Sequence, residues 1–193
     1  MASKPELPVL HVEHQAAWEN WLSQQHDTSP GVRLRIAKKG SGLSSVTYEE
    51  ALESALCYGW IDSQKEKGDE QSWLQRFTPR GPKSLWSLVN KEKAERLIAE
   101  GRMKPSGLSA IETAKQNGQW DKAYASQSRA AVPDDFAEAL ARSSKAKAFF
   151  ETLDSTNRYA MIFRIQQVKK AETRSKKIEQ YIEMLEKGEK IYS

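Results

Sequence analysis

Strand-like alternation in this chain is confined to residues 32–78, and from Gly81 onward every long segment carries helical spacing. That division limits the fold more than any other feature, because the period of the apolar residues decides which regular structure can bury them. In "VRLRIAKK", Val32, Leu34 and Ile36 alternate with Arg33 and Arg35, giving one dry and one wet face. "WIDSQ" (60–64) and "SWLQRFT" (72–78) read as two further short strands around the charged turn "KEKGDEQ", the second stopping at Pro79. The economical arrangement is α+β: a small, mainly antiparallel sheet of about three short strands packed by helices, followed by a helical C-terminal part.

Local signals place the helices. Residues 1–10 read as a loose arm, with Pro5 and Pro8 against regular structure. A helix is predicted over 14–26, with Ala17, Trp18, Trp21 and Leu22 on one face. Thr47-x-x-Glu50 is a capping box opening a helix that Gly59 is placed to end. A helix over 84–100 closes at Gly101. Another over 106–118 has Ser109-x-x-Glu112 as its capping box and Gly118 as its stop. Four more follow, near 132–141, 144–153, 155–171 and 173–188. The third carries a stripe of Tyr159, Ile162, Phe163 and Gln166, the fourth one of Ile178, Tyr181, Ile182 and Leu185. "SQSRAAVP" (126–133) is the best linker, so the expected division is an α+β domain at 1–125 and a helical part at 126–193.

Composition narrows the setting. No stretch approaches the ~20 apolar residues of a membrane helix, and no membrane insertion is expected. The first residues hold no apolar run of signal-peptide length. One cysteine rules out an internal disulfide. Together these point to a cytoplasmic protein. A net charge of +4 from 30 basic and 26 acidic residues is a small excess that a mixed-sign surface explains.

Few chemistries find a foothold. Cys57 stands at the C-terminal end of a helix, where the dipole disfavours a thiolate, and reads as a packed residue. His11-x-x-His14 is a lone pair without a third ligand, so no metal is assigned. Phosphate-loop, dinucleotide and nucleophile-elbow patterns are missing, so no cofactor or catalytic residue is assigned. The richer stretch is "RFTPRGPKSLWSLVN" (76–90). Arg76 and Arg80 bracket Thr78 on a strand ending in a tight turn, and Ser84 or Ser87 is placed to cap the next helix. Two guanidiniums beside a helix start suit an anion. Trp60, Trp73, Phe77 and Trp86 supply apolar walls, while Asp62, Ser87 and Asn90 supply directed polar groups. The competing reading pairs the arginines with acids such as Asp62 or Asp69 and puts the tryptophans in the core. The late basic run (Lys169, Lys170, Arg174, Lys176, Lys177) reads as a solvated helix face, with few aromatics to stack bases.

"ALCYGWIDS" (55–63), "RFTPR" (76–80), "S-x-WS-x-x-N" (84–90) and "AETR-x-KKIE" (171–179) together resemble the YdeI/OmpD-associated, or bacteriocin-protection, family, from Trp18 to about Leu185. The resemblance implies a bacterial protein associated with protection against bacteriocins or other cationic peptides, and supplies no catalytic residue. The expected function is that of a non-enzymatic stress or resistance protein that binds a small anionic molecule or a peptide between sheet and helix. Trp60, Asp62, Arg76, Thr78, Arg80, Trp86, Ser87 and Asn90 are the expected contacts. The alternatives are an enzyme with Asp62 as base and Arg80 stabilising an oxyanion, and a nucleic-acid or protein-docking module using the basic C-terminal helix.

Overall fold

In the computed structural model, which describes residues 6–125 and 129–193, the chain divides into two units, Met1–Ala123 and Tyr124–Ser193. The first holds strands β1 (Val9–His11), β2 (Val32–Ala37), β3 (Trp60–Lys67) and β4 (Ser72–Pro79), with helices α1 (Gln15–Gln25), α2 (Tyr48–Cys57), α3 (Leu88–Ala99) and α4 (Pro105–Gln116). The strands form one sheet in the order β1-β2-β4-β3. β2 and β3 both pair antiparallel with β4, and β1 pairs parallel with β2. The expected α+β class holds, with one strand more than the sequence predicts. Part of the supposed N-terminal arm is that strand: β1 follows Pro8, whose carbonyl accepts from Arg33 N–H at 2.9 Å. The rest of the arm, residues 1–5, lies outside the described residues, as do residues 126–128 of the expected linker.

Alternation on β2 does what its pattern requires. Val32, Leu34 and Ile36 are buried with Phe77 of β4 and with Trp18 and Leu22 of α1. The opposite sheet face carries Arg33, Arg35 and Arg76. Arg33 pairs with Glu6 and Glu66, Arg35 with Asp69, and Arg76 with Glu66 at 3.1 Å. The two most deeply buried indoles have fixed partners. Trp18 Nε1–H donates to Ala51 O at 3.1 Å, tying α1 to α2, and Trp60 Nε1–H donates to His26 O at 2.9 Å. A buried indole therefore brings no unsatisfied donor into the core.

Several helix starts differ from the sequence reading by one to four residues, and two of them bear on the site. α3 begins at Leu88 rather than 84, because Ser87 is the residue whose Oγ accepts from Asn90 N–H at 3.1 Å. α4 begins at Pro105, so Ser109 lies inside the helix, where its carbonyl accepts from Thr113 Oγ1 at 2.9 Å, instead of capping it. Proline at the first helical position is the stronger signal, since its fixed φ fits the helix and its missing N–H would have had no partner.

The second unit holds α5 (Asp134–Arg142), α6 (Ser144–Thr152), α7 (Ser155–Gln166) and α8 (Ala171–Glu186). Phe136, Phe150, Met161, Ile165, Ile178 and Leu185 form its core. On α8 the predicted stripe is buried as read, with Ile182 packed at its margin. On α7 the face is rotated from the expected one: Ala160, Met161, Ile162 and Ile165 are buried, and Gln166 is exposed. Among the described residues no helix is long and apolar enough to cross a membrane.

Candidate functional site

The corner "CYGWID" begins the site. α2 ends at Cys57, and Gly59 turns the chain at φ 76°, a conformation costly for residues with a Cβ. A methyl built on Gly59 would lie 2.8 Å from Ser106 O, so the position also lets α4 approach. Gly59 O then accepts from Arg80 N–H at 2.9 Å, which brings the end of β4 against the same corner.

Beyond Arg80 the chain closes a tight turn. Ser84 N–H donates to Gly81 O at 2.9 Å, and Gly81 N–H donates to Ser84 Oγ at 3.0 Å. Asn117 Nδ2 holds Pro82 O at 2.6 Å. The turn returns Trp86 under Arg80, whose guanidinium carbon lies 3.6 Å from the centre of the indole, with Nη1 donating to Leu85 O at 3.1 Å. Trp86 is backed edge-on by Trp120 at 4.8 Å. A stacked guanidinium is held in one plane, which fixes the direction of its donors.

Between these pieces lies a cleft of ≈ 370 Å³, within the ~300–1,000 Å³ typical of small-ligand sites. Trp60, Trp86, Tyr58 and Pro79 give it apolar walls, and Arg80 gives it a cation. α4 adds Ser106, Ser109 and Thr113, and the end of α1 adds His26 and Asp27. Ser106 Oγ is buried with no hydrogen-bond partner among the described residues.

Of the eight residues expected at the site, Trp60, Arg80 and Trp86 line this cleft and five stand outside its lining. Asp62 accepts from Tyr48 Oη–H at 2.8 Å; burial, and then this bond, push the Tyr48 phenol up. Arg76 pairs with Glu66 on the other sheet face, and Thr78 sits opposite Ile61 on β4. Ser87 caps α3, and Asn90 supplies the backbone N–H that Ser87 accepts. Asp62 and Arg80, the pair an enzyme would need, therefore do not share the cleft. His26, Asp27 and the α4 hydroxyls were not legible, because nothing near them in sequence ties them to the "GWI" corner.

Cys57 is buried beside the cleft rather than in its lining. Burial pushes its thiol up, against a weaker opposing effect of Arg102. Iodoacetamide should therefore label the native protein at pH 8 at least roughly a hundredfold more slowly than the protein in guanidinium chloride. Equal rates would show that Cys57 is open to solvent.

The pair His11 and His14 is used locally. His11 Nε2 donates to Ser44 O at 2.9 Å, and His14 Nδ1 accepts from Ala17 N–H at 3.2 Å as the cap of α1. Among the described residues, no three His, Cys, Asp or Glu side chains gather as a metal-holding group.

Comparison with known families divides the chain similarly. Residues 10–110 match a domain of unknown function (DUF8412), just over half of the chain, and residues 129–188 match the family described as bacteriocin-protection, YdeI or OmpD-associated (OmdA). The chain belongs to the DUF8412 family and carries an OmdA domain. No curated protein and no solved structure gives a match. The "GWID", "FTPR" and "SLWSLVN" motifs fall in the DUF8412 region, and "AETRSKKIE" falls in the OmdA region.

The OmdA motif has a definite structural use. Arg174 Nε and Nη2 donate to the two oxygens of Asp135 at 2.6 and 2.9 Å, and Nη1 donates to Ile165 O at 2.8 Å. One guanidinium thus joins the first turn of α5, the end of α7 and the first turn of α8. The neighbouring cations are engaged as well: Lys176 pairs with Glu172 at 2.7 Å, and Lys177 donates to Gln180 at 3.2 Å.

Proposed function

We propose that the DUF8412 unit binds a small anionic molecule or peptide in the cleft at the "GWI" corner, serving the bacteriocin protection named for its OmdA domain. The observation that carries this reading is Arg80 stacked on Trp86 in the wall of a cleft of ligand size. A guanidinium held flat on an indole has given up its rotamer freedom before an anion arrives, so little further entropy is lost on binding. The surrounding aromatics give a ligand an apolar surface and would report its arrival through tryptophan fluorescence. As a binding site the arrangement needs no nucleophile or base, and the Tyr48-bonded Asp62 outside the lining fits that economy.

The test is thermal unfolding and tryptophan fluorescence against a library of metabolite carboxylates, phosphates and short peptides. A ligand present at 100 times its Kd should stabilise the protein by about 2.7 kcal/mol. Arg80→Ala should abolish the shift, and Arg80→Lys should retain charge but lose most of the affinity, because a lysine cannot lie on the indole in the same way. A hit unaffected by Arg80→Ala places the site elsewhere.

A further inference from the structure

The turn after β4 bounds the cleft, and its ties are unevenly placed. At its base, Arg80 N–H donates to Gly59 O at 2.9 Å and Arg80 Nη1 donates to Leu85 O at 3.1 Å, so the two ends of the turn are held together. Within it, the bonds from Ser84 N–H to Gly81 O and from Gly81 N–H to Ser84 Oγ make residues 81–84 a self-closed unit. Gly81, Pro82 and Lys83 are exposed, while Gly81, Pro82 and Ser84 also line the cleft. Among the described residues, the hydrogen bond that ties this tip to another element is the one from Asn117 Nδ2 to Pro82 O.

Asn117 is placed for this by α4. It stands one turn beyond Thr113 and continues the helix face on which Ser106, Ser109 and Thr113 line the cleft. Its Oδ1 accepts from Gln119 N–H at 3.1 Å, which leaves Nδ2 as the donor facing the Pro82 carbonyl. The bond therefore spans one end of the cleft, from the turn after β4 to the C-terminal end of α4. It is exposed to water, so breaking it exchanges one partner for another at modest cost. A methyl built on Gly81 meets nothing nearer than Ser84 Oγ at 3.9 Å, so the pivot between base and tip is not wedged by other elements.

We infer that residues 81–84 are a lid on the cleft and that Asn117 is its latch. With the bond made, Pro82 and Ser84 close the cleft toward the C-terminal end of α4. With it broken, the turn swings on its pinned base, and a ligand enters or leaves. Asn117 is a positioning residue, acting on the turn and not on the ligand. The inference rests on the cleft being a binding site, and it adds the gate.

Trypsin cleavage after the exposed Lys83, followed by mass spectrometry, reads the open lid, because the protease cuts the population that has swung out. Asn117→Asp keeps the acceptor for Gln119 N–H but sets a carboxylate oxygen against the Pro82 carbonyl, and Asn117→Ala removes both bonds. In each variant cleavage at Lys83 should rise about three- to tenfold, as the loss of one hydrogen bond predicts, with cleavage at other sites unchanged. The parent rate in both variants, or a rise shared by every other site, overturns the latch. The second arm uses the carboxylates, phosphates and short peptides of the binding screen. One that shifts the unfolding midpoint should slow cleavage at Lys83 in the parent, and should leave Asn117→Asp about three- to tenfold faster by stopped-flow tryptophan fluorescence. Binding with neither effect overturns the lid and leaves the binding site in place. If no member of the screen binds, the site is refuted and the lid falls with it.

Discussion

Gly107→Ala should lower the thermal unfolding midpoint of the protein by roughly 6–12 °C, although alanine is the better helix former by about 1 kcal/mol. Gly107 lies in the first turn of α4, where that helix crosses the end of α2. A methyl built there overlaps the Cys57 carbonyl oxygen and meets the Cys57 carbonyl carbon at 2.9 Å and Met103 Cε at 2.7 Å. The methionine can move, but the carbonyl cannot, because it already accepts from Lys104 N–H at 3.0 Å. Relief requires α4 to lift away, which strains the packing of Ile111 and Ala114 and loses that hydrogen bond. Overpacking typically costs about 1–3 kcal/mol, and a lost backbone bond about 1 kcal/mol more. Gly81→Ala is the control: a methyl there meets nothing nearer than Ser84 Oγ at 3.9 Å, and the change should stay within about 0.5 kcal/mol. Scanning calorimetry on both variants decides. A Gly107→Ala protein as stable as the parent would mean that the crossing has slack, and that the α4 wall of the cleft is not set by backbone contact.

That crossing also shows where sequence reading stops. Signals contained within a few residues were legible: the alternation of Val32, Leu34 and Ile36, the Thr47 capping box with Glu50, and Gly59 as a helix end. Signals that depend on a distant partner were not. β1 is three residues long and becomes a strand only through pairing with β2, so no local periodicity could announce it. On α7, Tyr159 and Phe163 suggested a stripe, but the core takes the neighbouring face through Met161 and Ile165, leaving the aromatics half-buried. The site divides in the same way. Arg80 and Trp86 are six positions apart and could be read as one unit, and Trp60 belongs to the motif they form. Asp62 lies two residues beyond Trp60, and its side chain is held by Tyr48. His26 and Asp27 line the cleft from the end of α1, where the His26 carbonyl accepts from the Trp60 indole across 34 positions of sequence.

In the OmdA unit Arg174→Ala should have an effect well beyond that of an ordinary surface substitution. Its side chain is about one-quarter exposed and joins three helix ends through charge-assisted bonds, two of them a bidentate fork on Asp135. Removing it leaves the Ile165 carbonyl without this donor and Asp135 without its cation, a loss of about 1.5–3 kcal/mol. In a unit of this size that is a midpoint drop on the order of 10 °C. Arg174→Lys should recover part of the charge interaction and little of the rest, since an ammonium cannot make the fork and also reach Ile165 O. The pH dependence carries a separate signature. The hydrogen bond from Arg174, and then its charge, hold the Asp135 carboxyl below the usual carboxylate range, against the opposing effect of burial. A carboxyl depressed in the folded state contributes its full stabilisation above the unfolded value near 4, and that contribution is lost as pH falls through the lower folded value. The parent should therefore lose stability on acidification below about pH 4 more steeply than Arg174→Ala, and the gap between the two curves should narrow in acid towards the part that the Ile165 bond contributes. Asp154, depressed by the backbone bond it accepts from Asn157, remains in both proteins and drops out of the comparison. Amide hydrogen exchange in α5, α7 and α8 from pH 3 to 7 reads this difference within the unit. A constant offset between the two proteins at every pH would instead make Arg174 a packing and hydrogen-bonding residue whose ion pair with Asp135 adds nothing to stability.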